Sequence, residues 1–111
     1  MQMQKLTEQY SVSEQIDVTD ISQLIAEGVE IIVCNRPDNE AADQPQFKSI
    51  ENAAMEVGIQ TVWIPFSAND LTFDKVNALS GLLKSGKKIH AYCRTGNRSS
   101  VIWQEALKLG E

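Results

Sequence analysis

The chain has 111 residues, 42% of them hydrophobic and 23% charged, with a formal net charge of −5. That length sets one domain, residues 1–111, whose core buries about two-thirds of the unfolded chain's surface. The acidic balance argues against nonspecific nucleic-acid binding and against an anionic membrane surface, and no apolar run approaches the ~20 residues of a membrane span. Two cysteines make no disulfide framework. With a single histidine they are also too few for a Cys/His zinc site, so no metal and no other cofactor is expected. Met1 to Glu8 lacks the apolar core of a signal peptide, which makes the cytoplasm the expected location.

Strand and helix signals alternate along the chain, with no internal repeat or linker. Tyr10–Ser13 alternates like a short edge strand. Thr19-Asp20 reads as a helix N-cap, and Ile21, Leu24 and Ile25 give a helical stripe that stops at Gly28. Residues 30–35 form the continuous apolar run of a strand buried on both faces, broken by Arg36-Pro37-Asp38-Asn39. Gln46–Val57 is a helix with Phe47, Ile50, Ala54 and Val57 on one face. Ile59–Phe66 is a strand, and Ser67–Asp70 a loop. Phe73–Ser85 is a helix with Phe73, Val76, Leu79 and Leu83 inward. Lys88–Tyr92 is the last strand and Ser99–Leu109 the last helix. Such alternation predicts a three-layer α/β domain with a mostly parallel sheet of four to five strands between helices. Ligands bind such sheets beyond the C-terminal strand ends, where Cys34, Arg36, Asp70 and Cys93 all fall. Trp63 and Trp103 occupy core-facing positions and read as packing residues.

Cys93-Arg94-Thr95-Gly96-Asn97-Arg98-Ser99 carries the chemistry. A cysteine between a strand end and a helix start meets loop amides and the positive end of the helix, which favour anions and therefore the thiolate. A free cysteine near pKa 8.5 is only a few per cent thiolate at pH 7, and such sites lower that to roughly 3.5–7.5. Arg98 is the fifth residue after Cys93, making the loop C-X4-R. Protein tyrosine phosphatases use C-X5-R around a phosphate, whereas rhodanese-type sulfurtransferases commonly use C-X4-R around a cysteine persulfide. Against that, Ala68-Asn69-Asp70 resembles the general-acid loop of dual-specificity phosphatases, where Asp70 would protonate a leaving oxygen. Arg94, Thr95, Gly96, Asn97, Ser99 and Arg36 are the remaining candidates for substrate binding. Cys34 is a candidate resolving thiol for Cys93. His90 alternates onto the face opposite Cys93, so a Cys–His dyad is not expected.

Ile32-Val33-Cys34-Asn35-Arg36-Pro37-Asp38, the Ile64-Pro65 strand end and Tyr92–Ser99 together resemble the phosphatase-like domain of β-lactamase-hydrolase-like proteins, over about Leu6 to Leu107. The resemblance implies a small dual-specificity-phosphatase-like fold, a catalytic Cys93 and an anion-binding Arg98. It also implies association with persulfide dioxygenases or other sulfide-metabolism modules. Tyr92 departs from the pattern, since phosphatases usually place His before the nucleophile.

The loop length puts sulfur transfer first. Cys93 would take sulfane sulfur from thiosulfate or glutathione persulfide and pass it to a thiol. The alternative is a phosphatase, with a phosphocysteine at Cys93, Arg98 on the phosphoryl oxygens and Asp70 as acid. A third reading is a non-catalytic, redox-sensing anion-binding module.

Overall fold

A computed structural model describes residues 1–110. Five strands form one sheet: β1 (Gln4–Lys5), β2 (Tyr10–Ser13), β3 (Ile31–Cys34), β4 (Gln60–Trp63) and β5 (Ile89–Tyr92). Their order is β1-β2-β5-β3-β4, with β1 antiparallel to β2 and every other pairing parallel. The helices are α1 (Ile21–Ala26), entered through a 3-10 turn at Val18–Asp20, α2 (Phe47–Glu56), α3 (Phe73–Lys84) and α4 (Asn97–Leu109).

Strand alternation divides the core into two layers. Ile31, Val33, Ile89 and Ala91 face α3 and α4, meeting Val76, Leu79, Ile102 and Ala106. Ile32, Cys34 and Tyr92 face the other way, against Ile21 and Leu24 of α1 and Ile50 and Ala54 of α2. The three-layer α/β architecture is therefore as expected, and β5 at its centre carries the cysteine loop on its C-terminal end.

Several details differ from the sequence reading. Tyr10–Ser13 is not an edge strand: β1 covers its outer side, and all four of its residues are buried. Its two serines look solvated in the sequence but pair with the buried His90 ring instead, Ser11 Oγ at Nδ1 and Ser13 Oγ at Nε2, both 2.8 Å. The strand predicted at Ile59–Phe66 is regular only over Gln60–Trp63, although the Ile64 and Phe66 N–H groups on either side of Pro65 still donate to Cys34 O and Asn35 O at 2.9 and 3.4 Å. Asp20 is the N-cap of α1, within the expected Thr19-Asp20 pair, and its carboxylate also accepts the Asp17 N–H at 2.8 Å across the preceding 3-10 turn. Ile25, Val57 and Phe73 lie outside the core, Phe73 being 66% exposed. Trp63 sits on the edge strand, 42% exposed, stacked on Phe47 at 5.1 Å. Trp103 packs as expected, stacked on Tyr10 at 5.8 Å.

Candidate active site

The cysteine loop is shaped by its two flanking strands. Ser13 O accepts the Cys93 N–H, and Arg94 O accepts the Gln15 N–H, both at 3.4 Å, so the end of β2 splints the start of the loop. The chain then reverses at Gly96, whose φ is +97°. A side chain there would be strained, and its Cβ would stand 3.4 Å from the Ser13 carbonyl. That reversal turns the Gly96 N–H onto Cys93 Sγ at 3.0 Å and starts α4 two residues earlier than the sequence suggested.

The far end of the loop is fixed by a buried polar chain. Ser99 Oγ donates to Asn35 Oδ1 at 2.9 Å, and Asn35 Nδ2 donates to Ile64 O at 3.0 Å. Tyr10 Oη donates to Ser99 O at 2.9 Å. Ser99 and Asn35 are both fully buried, so each of these bonds also satisfies a group that water cannot reach. Asn35 was legible only as part of a motif; its hydroxyl acceptor role depends on a contact 64 residues away.

Two opposing effects act on the Cys93 thiol. Burial raises its pKa, but N–H groups of Ser99, Thr95, Gly96 and Arg98 converge on the sulfur and more than compensate, leaving it below the ordinary value. Cys34 has no such cradle, and burial pushes its thiol up to about 11. Cys34 is in register with Tyr92, the residue before Cys93, and shares its layer of the core. The Cys34 thiol donates to Arg36 O at 3.3 Å, and both cysteines are free. Cys34 lies close enough to Cys93 for a thiolate at Cys93 to help burial raise the Cys34 pKa.

Arg98 meets a partner that the sequence reading missed. Its Nη1 and Nη2 form a two-pronged pair with Glu40 Oε2 and Oε1 at 2.9 and 2.8 Å, and Nη1 also donates to Phe66 O at 2.9 Å. Three of the guanidinium's five N–H donors are thereby used. The Nε–H and the second Nη2 hydrogen, its side-on fork, remain for an anion. The hydrogen bonds that Arg98 donates to Glu40 hold it above its already high pKa, against a smaller opposing effect of burial, and the nearby Cys93 thiolate adds to the pull. Glu40 also accepts from Arg36 Nε at 3.0 Å. Its bonds to Arg98, opposed by partial burial and helped by Arg36, hold its carboxyl below the usual range. Nothing in the sequence marked Glu40, because it lies in a polar loop with no periodicity.

Arg36 is nearly buried and reaches both Glu40 and, through Nη1, Gln15 Oε1 at 3.0 Å. Arg36, Arg94 and Arg98 line one cavity of about 420 Å³ with Glu40 and Ala41. Thr95, Gly96 and Asn97 line a separate cavity of about 470 Å³ on the N-terminal side of the loop, beside Gln2, Met3 and Gln4. Asp70 is not joined to the loop: its carboxylate caps the Ser67 N–H and pairs with Lys75 Nζ at 3.5 Å, and it is 57% exposed. Its turn begins one residue after Phe66, whose carbonyl touches Arg98. His90 is fully buried between its two serines and makes no bond to Cys93. Among the described residues, no cluster of three or more His, Cys, Asp or Glu side chains is placed to hold a metal ion. No helix among them is long and apolar enough to cross a membrane.

A helix-flanked, mainly parallel five-stranded sheet with a cysteine loop on its central strand is a phosphatase-like fold of the tyrosine and dual-specificity kind. More narrowly, the chain belongs to the family of phosphatase-like domains of β-lactamase hydrolase-like proteins, whose profile matches residues 2–109. A β-lactamase hydrolase-like protein of Agrobacterium fabrum is 25% identical over 104 residues, 93% of this chain. The chain spans only 24% of that relative's length. A crystal structure of a candidate phosphatase from Neisseria meningitidis superposes with a TM-score of 0.80 at 34% identity, covering 89% of this chain and 71% of the other. A second, from Shewanella putrefaciens, gives 0.82 at 22% identity, covering 97% and 69%.

Proposed function

We propose that the chain is a cysteine-dependent phosphoester hydrolase. The observation that carries this reading is the Gly96 N–H set on Cys93 Sγ at 3.0 Å at the start of α4, in a loop whose amides lower the thiol's pKa, beside the free side-on fork of Arg98. In this reading the Cys93 thiolate attacks phosphorus and forms an S–P bond as the P–O ester bond breaks. Arg98 and the loop amides hold the phosphoryl oxygens, and Asp70 delivers a proton to the departing alkoxide. Water then attacks the phosphocysteine, Asp70 takes its proton, and the thiolate and inorganic phosphate are released. The resemblance to candidate phosphatases supports this branch over the sulfur transfer suggested by loop length.

Sulfur transfer remains the second reading, because one observation favours it. The Asp70 carboxylate is bonded to Ser67 and Lys75 and the Glu40 carboxyl is held below the usual range, so a proton donor reaches the leaving group only once Asp70 exchanges those partners for the site. Moving sulfane sulfur from thiosulfate or glutathione persulfide needs none, since sulfite and thiolates leave unaided. A persulfide dioxygenase would then be the fitting partner. Hydrolysis of an alkyl phosphate by wild type, Cys93→Ser and Asp70→Asn protein separates the two. The hydrolase reading expects no turnover in Cys93→Ser and a loss of roughly 10²-fold or more in Asp70→Asn. A Cys93-dependent gain of one sulfur from thiosulfate by intact mass, with no phosphoester turnover, would replace it with sulfur transfer.

A further inference from the structure

The chain contains three arginines, Arg36, Arg94 and Arg98, and all three line the same cavity of about 420 Å³. Its seven other cationic side chains are lysines, and none of them lines that cavity. One arginine is enough to complete an anion cradle around a nucleophilic cysteine. The other two need a different explanation.

The charges within the cavity are unequally used. Glu40 is shared between Arg36 and Arg98, and Arg36 is further held by Gln15. Arg94 is exposed and makes no side-chain hydrogen bond or ion pair with any described residue. Three guanidinium charges face one carboxylate, so two positive charges are left uncompensated in a chain whose net charge is −5. A phosphoryl group on the Arg98 fork answers one of them. The free Arg94, one residue from the nucleophile, answers to something else.

The lining also says what is not recognised. Four of the five lining residues are charged, and the only apolar one is Ala41. This cavity, which meets the cysteine loop at Arg94 and Arg98, offers an aromatic ring no flat apolar wall.

We infer that the site takes a small, non-aromatic phosphoester carrying a second anionic group, with the reacting phosphoryl at Cys93 and Arg98 and the second anion on Arg94. This rests on the hydrolase reading above and names its substrate class. Guanidinium is suited to that role because its planar fork matches carboxylate and phosphate oxygens in pairs.

The test compares matched substrates that differ in one anionic group: 3-phosphoglycerate against glycerol 3-phosphate, and fructose 1,6-bisphosphate against fructose 6-phosphate. The expected result is a kcat/KM roughly tenfold or more higher for the doubly anionic member of each pair. In Arg94→Gln that ratio is expected to fall to about twofold or less. Equal kcat/KM within each pair in wild type, or a preference that survives in Arg94→Gln, would overturn the second-anion site. Calorimetric binding of the same compounds to Cys93→Ser protein keeps the two ideas apart. A binding preference for the double anion with no turnover in wild type would reject the hydrolase and keep the anion site. Turnover of glycerol 3-phosphate with no preference in either assay would do the reverse.

Discussion

At the scale of single residues, Glu40 and Gly96 decide whether Cys93 has a working partner. Glu40 grips the end of Arg98 and leaves its side-on fork free beside Cys93, so it acts as a positioning residue. Glu40→Gln keeps the shape but gives up one of two charge-assisted bonds, and a neutral amide cannot accept from both nitrogens. On the hydrolase reading, kcat/KM for a phosphoester is expected to fall about tenfold or more with thermal stability nearly unchanged; a marked fall in melting temperature would assign Glu40 a merely structural role. Gly96→Ala acts by another route. The left-handed backbone costs an L side chain about 1–2 kcal/mol, and the Ser13 carbonyl is already in contact. A lower denaturant midpoint is expected, together with a raised Cys93 pKa as the Gly96 N–H swings off the sulfur, read from the pH dependence of iodoacetamide labelling.

At the scale of elements, β2 and β5 form a unit whose polar interior depends on one neutral imidazole. Burial pushes His90 down to about 4, with Asp20 pulling weakly the other way. The unfolded chain therefore binds a proton that the folded chain refuses. The contribution of His90 is fully present above about pH 6.5 and is lost progressively as pH falls toward 4, by about 3 kcal/mol at most. Denaturation midpoints taken between pH 7 and 4 should show this loss, and His90→Asn should flatten that part of the profile. The same unit explains what the sequence concealed. Apolar runs such as Ile31–Cys34 announced themselves as buried strands, because a run without polar residues has only one place to go. Tyr10–Ser13 read as half-exposed because the partner of its serines lies some 80 residues away. Helix faces were read correctly where they meet the sheet, at Ile50 and Leu79, and wrongly at their ends, at Val57 and Phe73.

At the scale of the whole molecule, inserting β5 between β2 and β3 brings together residues from four separate stretches: Gln15, the Arg36–Glu40 loop, Phe66 and Cys93–Ser99. The loop itself was legible because its spacing is local: a nucleophile, a glycine and an arginine within six residues, between a strand and a helix. The pairing of Arg98 with Glu40 was not, since it spans 58 residues and neither partner's neighbours hint at the other. The cavity that gathers every arginine became visible only with the topology. Its internal carboxylate also bears on how a substrate arrives. Three bare guanidinium groups would draw anions in from a distance, giving association rates that fall steeply with ionic strength. Glu40 cancels part of that field where it originates, and the chain's net charge of −5 opposes what is left. Raising salt from about 10 to 150 mM, which shortens the Debye length from roughly 30 to 8 Å, is therefore expected to change kcat/KM by no more than a few fold: the site captures its anion by touch, after collision, and spends little on calling it from afar.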